Sequence, residues 1–132
     1  MKIIDAIAQL DSLVRNTYSQ KDKIGWLSRL DHIIMVQIIT THQGFETVSF
    51  NGYDDSTDLH TELLVPPPFD EIYLRWMEAQ IHYHDGEFDR YNAAITMYNT
   101  AFEGVQHLSA TARRFQGGIF HNFLLKTGSG SL

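Results

Sequence analysis

The chain has 132 residues, 43% hydrophobic and 20% charged, with a net charge of −6, a composition suited to one domain with its own core. It contains no cysteine, which excludes disulfides, thiolate nucleophiles and cysteine-ligated zinc. No apolar run approaches the ~18 residues of a membrane-crossing helix, and MKIIDAIAQLD carries acids where a leader would be uncharged, so a protein folding in a cytoplasm is expected.

Four helical patterns follow in order. Ile3, Ile7, Leu10 and Val14 recur at steps of four, three and four, predicting a short amphipathic first helix. Ser19 with Asp22 three residues later is an N-terminal start signal. Beyond it Ile24, Leu27, Leu30, Ile34 and Ile38 mark one face of a second helix reaching to about Thr41. Trp26, Ile33, Val36 and Ile39 lie off that stripe, so this helix is expected to be buried on more than one side.

The helical period is lost over 43–65, a long central loop. Phe45, Val48 and Phe50 suggest short extended pieces, and GYDDSTD reads as a turn. A third helix is predicted to begin near Pro68, where Asp70 and Glu71 suit the positive helix end. Its buried face is expected to be Phe69, Tyr73, Trp76, Gln80 and Tyr83, with Gly86 ending it in a left-handed conformation. The fourth pattern is the most regular: Phe88, Tyr91, Ile95, Tyr98, Phe102 and Val105 form a seam for a partner helix, ending near Arg114. The fold class that results is mostly α, a small bundle of about four helices over 1–114. Residues 115–132 follow as an extended C-terminal arm, with Phe115, Ile119, Phe120, Phe123, Leu124 and Leu125 between glycines, and GSGSL close to its end.

Charge is unevenly distributed. Gly44 through Glu103 holds twelve acids against Arg75 and Arg90, whereas Gly104 onward holds Arg113, Arg114 and Lys126 and no acid. An acidic middle is a poor grip for nucleic acid, because phosphate contacts need a basic surface. It is either an ordinary solvated face or a surface that sits near DNA without holding it.

No chemical signature stands out. Glu78, His82 and His84 make a divalent metal conceivable, but neither H-E-x-x-H nor paired E-x-x-H spacing is present. Histidines near a helix C-terminus are favourable for dipole reasons alone. The acids of GYDDSTD lack the central glycine and twelfth-position glutamate of a calcium loop. No metal or other cofactor is expected, and no catalytic residues are assigned.

SQKDKIGWLSRLD, followed by TELLVPPPFDEIYLRWMEAQIHYHDGEFDRYNAAITMYNTAFEG, resembles the small head–tail connector (adaptor) proteins of tailed bacteriophages and prophages. The likeness covers about half of the chain, and LLVPPPFDEIYLRW and FDRYNAAITMYNTAF are its most specific parts. It implies a non-enzymatic virion subunit, made in the host bacterial cytoplasm and assembled as a ring, expected to be a dodecamer, beneath the portal protein. Such a ring extends the channel for double-stranded DNA, which passes without sequence-specific binding, and offers a platform to downstream neck and tail proteins, with no membrane involved. On that reading part of the acidic set Glu46, Asp54, Asp55, Asp58 and Glu62, on the long loop, is expected to face the ring lumen or a neighbouring subunit. Arg113, Arg114, Phe115, Ile119, Phe120, Phe123 and Leu124 are expected to dock on the portal or an adjacent copy. Two other classes stay open: a stand-alone helical adaptor binding a peptide in a groove, and a metal-dependent hydrolase using Glu78, His82 and His84.

Overall fold

Residues 1–41, 47 and 49–115 are described by the computed structural model, the last seven by backbone alone. Four helices run in order: α1 (Ile3–Leu13), α2 (Gln20–Gln37), α3 (Glu71–His84) and α4 (Phe88–Phe115). The mostly helical bundle expected from the periodicities is the architecture found. Among the described residues the central loop forms no strand; a single antiparallel bridge joins Lys2 to Glu62. Phe45 and Val48 lie outside the described residues.

The helix ends follow local chemistry. The Ser19 hydroxyl accepts the Asp22 N–H at 3.1 Å, capping α2 as the start signal predicts. At its other end α2 stops at Gln37, earlier than expected, and the β-branched Ile39–Thr41 continue as a 3-10 turn. Gly86 adopts φ +74, and the Gly86 and Glu87 N–H groups return to the carbonyls of Tyr83 and His82 at 3.1 and 2.9 Å. These two hydrogen bonds close α3 and turn the chain into α4. At the start of α1 the loop supplies the missing acceptors: the Ile3 and Ile4 N–H groups donate to the carbonyls of Thr61 and Leu59 at 3.0 and 2.9 Å. The long loop therefore completes a helix end as well as connecting two helices.

α3 is the central element. It packs along α4 on one side and against α2 and α1 on the others, and α4 meets the rest of the bundle chiefly through it. The stripe Ile24, Leu27, Leu30, Ile34 and Ile38 of α2 is buried as expected, with Ile3, Ala6 and Leu10 of α1 beside it. Each leucine or isoleucine among them contributes about 1.5–3 kcal/mol by leaving water. α2 is covered on more than one side as expected, since Trp26 off the stripe and Ile39 in the turn that follows are also buried, but Val36 is 65% exposed.

The buried face of α3 differs from the one its aromatic spacing suggests. Ile72, Tyr73, Met77, Ala79, Ile81 and His82 are buried, Trp76 is only half-buried, and Tyr83 is 54% exposed. The physical reason is that α3 has neighbours on three sides, so several rows of its surface are covered and no single stripe describes it. The α4 seam is present and graded: Val105 and Tyr98 are buried, Ile95 and Tyr91 half-buried, and Phe88 at the turn is 61% exposed.

Candidate functional site

Asp31 is wholly buried, yet it is an acid. It takes the place between Leu27 and Ile34 on the apolar stripe of α2, and three donors converge on it. Tyr73 of α3 donates to Oδ1 at 2.7 Å, Tyr53 of the loop donates to Oδ2, and the Leu64 N–H donates to Oδ2 at 3.2 Å. The Tyr73 hydroxyl in turn accepts the Val65 N–H at 2.7 Å. Burial pushes the Asp31 carboxyl up to about 6, against the lowering effect of the donors from Tyr53, Tyr73 and Leu64. Burial and the neighbouring carboxylate hold the Tyr73 phenol well above its ordinary value. Periodicity assigned Leu30 to the stripe and passed over Asp31, although steps of four from Leu27 and three to Ile34 place it there. An acid on an apolar stripe was the available signal.

This anchor fixes the path of the loop that carries the acidic residues. Gly52 has φ +83, the Tyr53 N–H donates to the Ser28 hydroxyl at 3.0 Å, and Phe50 packs edge-on against His32 and Tyr53 with ring centroids 4.7 and 5.0 Å apart. Asp54, Asp55, Asp58 and Glu62 are all exposed, and the structure gives each a local role. The Asp54 carboxylate accepts from the Ser56 N–H at 2.8 Å and the Ser56 hydroxyl at 2.6 Å, bonds that hold its carboxyl below the usual range. Asp58 accepts the His60 N–H at 2.9 Å, Asp55 lies 4.0 Å from Lys21, and Glu62 shares the bridge with Lys2. Glu46 lies outside the described residues.

The possible metal set does not converge. Glu78 Oε1 stands 3.8 Å from His82 Nε2, whereas Glu87 Oε1 stands 3.6 Å from Nδ1, so the two carboxylates flank opposite ring nitrogens. Glu78 is held by Arg75 at 3.3 Å and Glu87 by Arg90 at 3.2 Å. His84 turns away to stack on Trp26, with ring planes 12° apart and centroids at 5.9 Å. Among the described residues no group of three His, Asp or Glu side chains could hold a metal ion. The buried Nδ1 of His82 has no hydrogen-bond partner and adjoins a cavity of about 410 Å³ lined by Arg15, Asp85, Glu87 and Arg90 among others.

Two surfaces are apolar and open. A groove of about 470 Å³ runs between α1 and α3, lined by Ala8, Gln9, Ser12, Leu13 and Leu74. At the α3–α4 turn the rings of Tyr83 and His84 meet at 5.4 Å and those of Tyr83 and Tyr91 at 5.5 Å, with Phe88 exposed next to them. Tyr18 closes the edge of this patch by donating to Asp85 at 2.5 Å, a bond that raises its phenol to about 12. Of the residues expected to form the docking arm, Arg113, Arg114 and Phe115 close α4 by their backbone, so Phe115 belongs to the helix. Ile119, Phe120, Phe123 and Leu124 lie outside the described residues. No helix among the described residues is long and apolar enough to cross a membrane. No known family, curated protein or solved structure matches the chain.

Proposed function

We propose that this protein is a structural virion subunit, a head–tail connector that forms a ring beneath the portal, extends the DNA channel and links the capsid to the neck and tail. The likeness in LLVPPPFDEIYLRW and FDRYNAAITMYNTAF motivates the reading. The observation that carries it is the outboard position of α4: a 28-residue helix that meets the bundle chiefly through α3 and leaves Phe88 and Met97 exposed. A closed ring needs two different surfaces on each subunit, and Val36 of α2 and Leu13 of α1 are exposed on other elements. The loop held by Asp31 presents Asp54, Asp55, Asp58 and Glu62 to solvent. Facing the lumen, these acids discourage tight DNA binding and let the duplex slide, while salt limits the repulsion to about 8 Å. The role is mechanical and uses no cofactor.

Electron microscopy of the protein mixed with candidate portal subunits tests this. Rings seated on the portal are the expected result; a protein that stays monomeric and binds no portal rejects it. A chain ending at Arg114 is expected to fold but to fail in joining the assembly.

A second reading, a monomeric helical adaptor that binds an apolar peptide, is favoured by the open groove between α1 and α3. It predicts a monomer at all concentrations, with Leu13→Ser abolishing peptide binding.

A further inference from the structure

The exposed aromatic patch at the α3–α4 turn has an unusual setting. Tyr83 and Phe88 are both more than half exposed, and His84 and Tyr91 extend the same surface through ring contacts with Tyr83. The charges around it are negative on balance: Asp85, Glu87 and Asp89 against Arg90, which pairs with Glu87, and Arg15 across the adjoining cavity. Aromatic anchors ringed by charge of one sign fit a partner that brings apolar side chains together with positive charge. The chain itself contains such a segment. Residues 113–126, RRFQGGIFHNFLLK, combine three basic residues, no acid, and the apolar Phe115, Ile119, Phe120, Phe123, Leu124 and Leu125.

Chain length decides whose segment can occupy the patch. α4 runs from Phe88 to Phe115, 28 residues, so its ends stand about 40 Å apart at ~1.5 Å per residue. From Phe115 to Leu125, even a fully extended chain covers at most about 36 Å. Phe120 and Phe123 fall shorter still. Phe120 therefore cannot reach Phe88 of its own chain. Only the far end of the apolar part, Leu125, comes within range of Tyr91, about 36 Å from Phe115, whereas the segment of another molecule meets no such limit.

We propose that the α3–α4 turn of one copy receives the C-terminal segment 113–126 of a second copy, with Tyr83, Phe88 and Tyr91 packing on its apolar side chains and Asp85, Glu87 and Asp89 facing its basic ones. The contact is head-to-tail, joining different surfaces of the two molecules, and so can propagate around a ring. It rests on the reading of that segment as an arm but not on any portal, since it needs only copies of this chain.

The absence of native cysteine makes the test direct. Phe88→Cys and Phe120→Cys are made as two separate full-length variants, mixed and oxidised, while the double variant is oxidised at high dilution. Sedimentation measures association of the unmodified chain, of Phe88→Ser and of a chain ending at Phe115, with circular dichroism as a check on fold. Expected are a disulfide between the two different chains, none within the diluted double variant, and self-association weakened about tenfold or more by either change, with helix content of Phe88→Ser unaltered. A disulfide inside the diluted single chain means that a molecule's own tail fills the patch, and overturns the proposal. So does association that Phe88→Ser leaves intact, or a chain that stays monomeric throughout. An unmodified chain that does not self-associate yet still binds the portal refutes this contact alone and leaves the connector reading standing.

Discussion

Tyr73 of α3 donates its hydroxyl proton to Asp31 of α2 across 2.7 Å in the interior of the bundle, and both residues are fully buried. Because the same hydroxyl accepts the Val65 N–H, one phenol ties two helices and the loop together. Neither group could be buried alone without a penalty of about 1–3 kcal/mol.

Tyr73→Phe keeps the ring and removes this junction. Asp31 loses one of its three donors and the Val65 N–H loses its acceptor, so a loss of about 3 kcal/mol is expected in urea unfolding. A loss under about 1 kcal/mol would show that the junction is not a principal tie.

Asp31 also sets a dependence on pH. Burial raises its carboxyl from 3.8 to about 6 in the folded protein, so the native state binds the proton more tightly than the unfolded chain. Its contribution is fully present below about pH 4 and is lost as pH rises through about 6, with a slope of at most ~1.4 kcal/mol per pH unit. Asp11, lowered by its bond to Lys23, and Asp54, lowered by Ser56, act in the opposite direction, but both are exposed and screened. Urea midpoints for the native chain and Asp31→Asn, compared from pH 4 to 7.5, should show the native chain losing ground to the variant as pH rises. A constant difference between the two would refute this assignment.

Trp76 is half-buried but doubly engaged. Its indole N–H donates to the Trp26 carbonyl at 2.8 Å, and its ring lies 5.1 Å from that of Tyr98. Trp76→Ala is expected to cost about 3 kcal/mol, at the lower end for aromatic truncation because part of the ring is already in water. Trp76→Phe should retain most of the packing and lose only the hydrogen bond, about 1 kcal/mol. Equal losses for the two variants would mean that the bond matters more than the ring.

Two glycines with positive φ should respond differently to alanine. At Gly86 a Cβ meets nothing within 4 Å, so Gly86→Ala is expected to cost only the left-handed penalty, about 1 kcal/mol. At Gly52 a Cβ would stand 2.8 Å from Ser28 Oγ and 2.9 Å from His32 Cε1. Gly52→Ala should therefore add an overpacking cost of about 1–3 kcal/mol and disturb the Tyr53 bond to Asp31. Thermal unfolding of both variants checks the order, and a smaller shift at Gly52 would be the contrary result.

The helices were legible from residue spacing because their causes are local. Ser19 caps the N–H three residues on, Gly86 provides a conformation that other residues resist, and a period near 3.6 marks α1, α2 and α4 without knowledge of what they face. The turn in GYDDSTD was legible for a similar reason, since Asp54 bonds to the backbone two residues away. What each surface turns toward was decided only by tertiary packing. The single stripe read for α3 misplaced Tyr83 and Trp76 because three neighbours, distant in sequence, cover different sides of that helix. Asp31 escaped notice because its burial is tolerable only once Tyr53, Tyr73 and Leu64 arrive from 22, 42 and 33 residues away. Composition and period record how a residue behaves beside its chain neighbours; the donors that make a buried carboxylate stable, and the helix that leaves Phe88 in water, exist only after the chain has folded.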